Sequence, residues 1–183
     1  MLRGVVDNRW AAPGVVVEAM HTLGVARLQQ GQVEEGLTWM EAARASGWFE
    51  TLALRRHRGV VLQGQAMALT VLGRVDEARV ALERARGLAR GPVQHAHLDL
   101  VSLLLAVREE RWDDIVERGR APTAHLPVHG IALWDALQVA ARRAQGEEVT
   151  VTLAPADAPR WLPVWPGLAE HLRVSPAPGG QAG

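Results

Sequence analysis

The chain has 183 residues, 48% of them hydrophobic, and its 20 arginines balance 20 acidic residues to a net charge of zero. This length and composition predict one folded domain with a sizeable core and exclude disorder over most of the chain. Zero net charge argues against nucleic acid or an anionic membrane as partner, and the absence of cysteine excludes disulfides, thiol catalysis and cysteine-ligated zinc.

The first residues of the sequence do not suggest export. Residues Met1–Gly4 lack the apolar core and cleavage signature of a secretion signal. No apolar run approaches the roughly 20 residues that a membrane-spanning helix needs. We therefore expect a cytoplasmic protein.

The first half of the chain has helical periodicity. Val16, Met20 and Leu23 recur at the spacing of one helix face, and Gly31 follows as a left-handed C-cap. Similar reasoning predicts six helices up to Gly119, which cover residues 13–30, 33–46, 60–72, 75–89, 92–109 and 112–119.

A pair of acidic residues recurs near the start of every second helix. The three copies are Val33-Glu34-Glu35-Gly36, Val75-Asp76-Glu77-Ala78 and Trp112-Asp113-Asp114-Ile115, 42 and then 37 residues apart. Paired carboxylates can serve acid–base catalysis, but negative charge in a first turn also opposes the positive end of the helix dipole. Recurrence at one structural point favours the helix-start interpretation and indicates stacked helical hairpins.

The repeated unit resembles the tetratricopeptide repeat (TPR), a helix–turn–helix unit of 34 residues. The residues that match its spacing are Leu23, Gly24, Gly31, Val33, Gly36, Met40 and Ala43 in the first copy, Ala66, Gly73, Val75, Ala78, Leu82 and Ala85 in the second, and Leu103 with residues 112–119 in the third. Glu110 stands where the third turn glycine would be, and Arg27, Gln65 and Asp99 also depart from the pattern. The resemblance implies an all-α fold of antiparallel hairpins stacked as a short right-handed α-solenoid.

The resemblance also implies a concave groove lined by the first helix of each unit. The positions so implied are His21, Thr22, Val25, Gln29, Gln63, Met67, Thr70, His97, Leu100, Val101, Leu104 and Arg108. This groove is mostly apolar, so its expected ligand is a hydrophobic partner segment or the chain's own C-terminal part. The competing interpretation is that Leu100, Val101 and Leu104 belong to the core.

The composition changes near Ala121, because eight of the ten prolines lie from Pro122 onward. We predict a further helix over residues 128–145, an alternating strand-like or extended segment over residues 149–153, and a short helix over residues 167–173. Trp161 and Trp165, which lie among prolines, are expected to anchor an irregular segment that caps the helical stack. The predicted organisation is therefore 1–120 helical repeats, 121–174 additional helix and capping segment, and 175–183 disordered tail.

Known catalytic and metal-binding motifs are missing from the sequence. The absence of lysine removes the phosphate-binding P-loop and Schiff-base chemistry. His95 with Asp99, and His125 with His129, are spaced four apart but lack a third ligand, so we expect no metal and no cofactor. The basic run at residues 55–58 is interpreted as a solvated face that pairs with nearby glutamates.

These observations favour a non-enzymatic protein–protein interaction module, a scaffold or adaptor that binds a partner peptide or helix. Self-association is a further option. The alternative is the sensor region of a bacterial-type transcription regulator that binds a small effector. An enzyme of unrecognised type is a third option. An effector site predicts a closed pocket, whereas an interaction module predicts an open groove.

Overall fold

The computed structural model describes residues 2–8, 11–47, 49–51, 55–149, 153–154, 156 and 158–172. Within these residues every regular element is helical and no β-strand occurs, as expected for the predicted all-α class. The α-helices are α1 Leu2–Val6, α2 Pro13–Gln29, α3 Val33–Ala45, α4 Arg55–Val71, α5 Val75–Leu88, α6 Pro92–Arg108, α7 Trp112–Glu117, α8 Val128–Ala144 and α9 Pro166–Leu172. A 3-10 turn, Leu162–Val164, precedes α9.

The predicted helix boundaries agree closely with these bounds, and the three acid pairs do lie in first turns, those of α3, α5 and α7. Helix α1, Leu2–Val6, was not predicted, and α4 begins at Arg55 and not at the predicted Val60. The first turns of α4 carry a basic run and a glycine, so apolar periodicity could not reveal them.

A residue with positive φ ends the first helix of each hairpin. These residues are Gly31 (φ 83°), Gly73 (φ 77°) and Glu110 (φ 56°). In the first turn the N–H of Gln32 donates to the carbonyl of Arg27 at 2.9 Å, and the other two turns have the equivalent bond. This is the Schellman arrangement that closes a helix C-terminus. The third turn therefore has the same geometry as the other two although a glutamate replaces glycine.

The two helices of the first hairpin approach each other closely at a pair of glycines. A Cβ atom at Gly36 would lie 2.8 Å from the backbone oxygen of Gly24, and one at Gly24 would lie 2.9 Å from the oxygen of Gly36. The residues 42 positions further along, Ala66 and Ala78, are alanines with no exposed surface. Small residues thus recur at the same point of both hairpins.

Helices neighbouring in the chain also pack in space. Helix α4 contacts α2 and α6 as well as α3 and α5, so α2, α4 and α6 form one layer of the fold. Helices α3 and α5 pack against this layer, and α7 packs against α6. The apolar core lies between the layers.

Helix α8 packs on α6 and α7. The indole Nε1 of Trp134 donates to the carbonyl of Gly119 at 2.9 Å, which closes the end of α7. The buried amide of Gln138 donates to the carbonyl of Ile115. The second bond satisfies a carbonyl in the last turn of α7 that the short helix leaves free, and the first satisfies a carbonyl just beyond the end of α7.

Residues 158–172, which we name the C-terminal segment, pack across the turns of the hairpins. The large side chains that bury at least 94% of their surface here are Trp161, Leu162, Trp165, Leu168 and Leu172. At one end the carbonyl of Arg160 lies against Gly31, and at the other the ring of His171 meets that of Trp112 edge-on, with 4.9 Å between centroids. The two tryptophans therefore anchor this segment, as predicted.

The strand-like segment predicted at residues 149–153 is only partly visible. Val149 and Leu153 do not lie in a strand, and residues 150–152 are outside the described residues. The predicted tail, residues 175–183, is outside them as well.

Arginines on the surface pair with acids. In the basic run the predicted pairing is present at Arg58, but that side chain is only 16% exposed and not solvated, and the side chains of Arg55 and Arg56 lie outside the described residues. Arg58 and Arg84 both contact Glu50, at 2.7 and 3.4 Å, and Arg86 contacts Glu83 at 3.1 Å. None of the helices over the described ranges has the length and apolar character to cross a membrane.

Candidate binding cavity

A cavity of about 400 Å³ lies against the layer formed by α2, α4 and α6. One wall consists of residues that the resemblance places in the groove, and these are Val25, Gln29, Gln63, Met67, His97, Leu100 and Val101. They come from all three helices of the layer. The stack therefore brings together, around one space, more than half of the positions named from the sequence.

The opposite wall comes from the C-terminal third of the chain. It consists of residues at the start of α8 and in or beside the C-terminal segment, and these are Leu126, Pro127, His129, Gly130, Leu133, Ala156, Ala158, Pro159, Arg160 and Trp161. The sequence contained only a partial signal for this wall, namely Trp161 among prolines. No local pattern indicated that the start of α8 would face α2.

The cavity has an apolar interior and a polar rim. Its large apolar side chains include Met67, Leu100, Leu133 and Trp161. Glutamine, histidine and arginine supply the polar groups, and none of the described lining residues is acidic. Such a space accepts apolar groups and offers a few polar partners for orientation.

Five residues named from the sequence do not line this cavity. Thr70 and Leu104 have no exposed surface and lie in the core. The hydroxyl of Thr70 donates to the carbonyl of Ala66 in its own helix. Thr22 donates to the carbonyl of Glu18 at 2.8 Å on the outer part of α2. The groove positions nearest to the C-termini of α4 and α6 are thus covered, which the spacing could not reveal.

Arg108 lies beneath the C-terminal segment. Its Nε donates to the carbonyl of Thr70 at 3.0 Å, and another guanidinium nitrogen donates to the carbonyl of Val71. The guanidinium carbon lies 3.7 Å from the ring centroid of Trp165. The last-turn carbonyls of α4 and the indole face both favour a cation there, whereas burial lowers the pKa of Arg108 below its usual value.

His21 lies between α2 and α4, next to Gly64 and not at the cavity. Burial and the neighbouring His57 lower the pKa of His21 below 6.5, while a backbone hydrogen bond at Val60 and the charge of Glu18 act in the opposite direction. Folding therefore favours the neutral form of this imidazole.

A second cleft, of about 330 Å³, lies between α3 and α5. Its rim is charged, and Arg74 there contacts Glu77 at 2.7 Å, a hydrogen bond that lowers the pKa of Glu77. Gln65 lies on the floor with 3% of its surface exposed, and its carbonyl oxygen has no partner among the described residues. The charged groups of this rim already neutralise one another, so the cleft offers less to a ligand than the cavity.

The histidine pairs considered as metal ligands lie apart from any third ligand. The carboxylate of Asp99 forms an ion pair with Arg118, with 2.7 Å between the nearest atoms. His125 precedes the helix that contains His129. Over the described ranges no three His, Asp or Glu side chains form a group suited to a metal ion.

No protein-family model, no curated protein and no solved structure matches this chain.

Proposed function

We propose that the chain is a TPR-like helical-repeat module that binds a segment of a partner protein on the face formed by α2, α4 and α6. The repeat assignment is supported by the three equivalent turns at Gly31, Gly73 and Glu110 and by the small residues where paired helices cross. Stacked hairpins of this kind present extended concave surfaces that bind partners.

The observation that carries the function is the clustering of predicted groove residues around one apolar cavity. Val25, Met67 and Leu100, from three different helices, all contribute to it. Apolar side chains of a partner would bury their surface there, which stabilises a complex by about 25 cal/mol for each Å² removed from water.

The chain's own C-terminal segment supports a polypeptide ligand. That segment is largely helical, and Trp161 and Trp165, which flank its 3-10 turn, are buried against the hairpins. The hairpins thus already accommodate a tryptophan-bearing stretch of chain. A partner segment would extend this packing into the neighbouring cavity.

A pull-down from the native cell tests the proposal, with the full chain as bait. Met67→Glu and Val25→Glu place a carboxylate in the cavity and are expected to lose the partner. Val80→Glu is the matched control, because Val80 is 61% exposed on α5, away from the cavity. If both folded cavity variants retain every partner that wild type and the control retain, the binding face lies elsewhere.

A second candidate function is the binding of a small effector, as in the sensor region of a transcription regulator. It is favoured by the second wall, because Leu126, Leu133 and Trp161 leave a partly enclosed space and not an open groove. The volume, about 400 Å³, falls in the range of small-molecule sites. An effector would raise the melting temperature of the purified chain without a partner protein.

A further inference from the structure

We propose that the cavity binds an anionic amphiphile, a small molecule with an apolar chain and a carboxylate head group. This proposal rests on the second candidate function, in which the cavity itself holds the ligand. It adds the chemical class of that ligand, which follows from the distribution of apolar and charged groups around the space.

The interior of the cavity favours a ligand with an apolar chain. Met67, Leu100 and Leu133 contribute to it from α4, α6 and α8, and Trp161 adds its ring from the C-terminal segment. An alkyl chain entering this space exchanges water for apolar contacts over its whole length. A ligand that is polar throughout would instead leave its hydrogen-bonding groups unpaired.

The charges at the rim of the cavity favour a ligand whose head group is negatively charged. The ionisable side chains among the described lining residues are Arg160, His97 and His129, each neutral or positive and none negative. The Arg160 guanidinium forms no ion pair or hydrogen bond with any described residue, whereas other arginines with described side chains, such as Arg58 and Arg118, contact a carboxylate. A carboxylate at the rim would supply the partner that this guanidinium lacks.

The position of Arg160 is fixed by its backbone. A Cβ atom added at Gly31 would lie 2.7 Å from the carbonyl oxygen of Arg160. The C-terminal segment therefore packs closely against the end of α2. The start of α8 lies at the same rim through His129 and Gly130, and the first turn of α8 contains no acidic residue. The positive end of that helix dipole adds to the preference for an anion.

Isothermal titration of the chain tests this proposal with three probes of one alkyl length, each kept below the concentration at which it forms micelles or separates from water. The probes are decanoate, uncharged 1-decanol and cationic decyltrimethylammonium. We expect decanoate to bind about five- to tenfold more tightly than 1-decanol, as one exposed charge-assisted contact provides. The cationic probe is expected to bind more weakly than either.

Two variants identify the group that recognises the head. Arg160→Gln is expected to reduce decanoate affinity to that of 1-decanol and to leave 1-decanol binding unchanged. Arg120→Gln is the matched control, because Arg120 is also exposed and without a described partner but does not line the cavity. It is expected to change neither affinity.

Three outcomes would overturn the proposal. If 1-decanol binds as tightly as decanoate, the rim does not recognise an anion. If Arg160→Gln and Arg120→Gln have equal effects, recognition does not involve the cavity rim. If none of the probes binds, the cavity takes no amphiphile. The pull-down is read separately, so loss of either proposal leaves the other standing.

Discussion

Gly31→Ala is expected to destabilise the protein more than the same change at Gly73, although both residues have positive φ near 80°. At Gly73 the added Cβ meets only Arg108 side-chain atoms, at 3.6 Å and beyond. The left-handed conformation costs alanine about 1–2 kcal/mol, and the lower entropy of the unfolded chain offsets about 0.4–1 kcal/mol of this. We therefore expect Gly73→Ala to lower the free energy of unfolding by about 0.5–1 kcal/mol.

At Gly31 the new Cβ would lie 2.7 Å from the carbonyl oxygen of Arg160, so backbone must move. Overpacking of this kind adds about 1–3 kcal/mol, which brings the expected total to about 2–3 kcal/mol. Urea unfolding followed by circular dichroism measures both values.

Gly146→Ala is a further control, because Gly146 ends α8 in the same Schellman arrangement, its φ is 90° and no atom lies within 4 Å of the new Cβ. It should resemble Gly73→Ala. Equal losses at Gly31 and Gly73 would refute the reasoning, since they would mean that the C-terminal segment does not lie against the first turn.

Three further changes test other parts of the structure. A Cβ atom at Gly36 would lie 2.8 Å from a backbone oxygen of α2, so Gly36→Ala should lower the free energy of unfolding by about 2–3 kcal/mol, measured with urea. Gly87 lies in open space on α5, so Gly87→Ala should raise that free energy by about 0.5–1 kcal/mol. Equal effects of the two changes would contradict the close helix crossing. Because the pKa of His21 is lowered in the folded state, the free energy of unfolding should decline as the pH falls from 7.5 to 5.5. His21→Gln should reduce this decline, measured as the urea midpoint at each pH. An unchanged slope would show that another group is responsible. Trp165→Leu keeps an apolar side chain but removes the ring 3.7 Å from Arg108, so thermal unfolding should show a loss of about 0.5–2 kcal/mol, and no loss would mean that the cation–π contact is not energetically significant.

Local signals in the sequence were sufficient to predict most helices. Proline at the start and glycine at the end mark α2, and the acid pairs mark the starts of α3, α5 and α7, since these features act within one helical turn. The third turn was harder, because Glu110 adopts a positive φ that glycine would normally reveal. Its geometry is set by the packing of α6 and α7 and not by its own residue type.

The binding cavity was predicted only on one side. Periodicity identified α2, α4 and α6, and the resemblance then selected Val25, Met67 and Leu100. The second wall depends on contacts between residues far apart in the chain, such as Gly31 with Arg160, and no local pattern contains that information. Thr70 was placed in the groove for the same reason, because its burial follows from tertiary packing.

Alkylation of single cysteines gives the most direct test that ligands bind in the cavity, since the natural chain has no cysteine to interfere. Met67→Cys places a thiol on the cavity wall, and Val80→Cys places one on exposed α5 as a control. The thiol at position 67 should react more slowly when the captured partner or decanoate is bound, while the thiol at position 80 should react at an unchanged rate. Equal rates at position 67 with and without a bound ligand would contradict binding in the cavity.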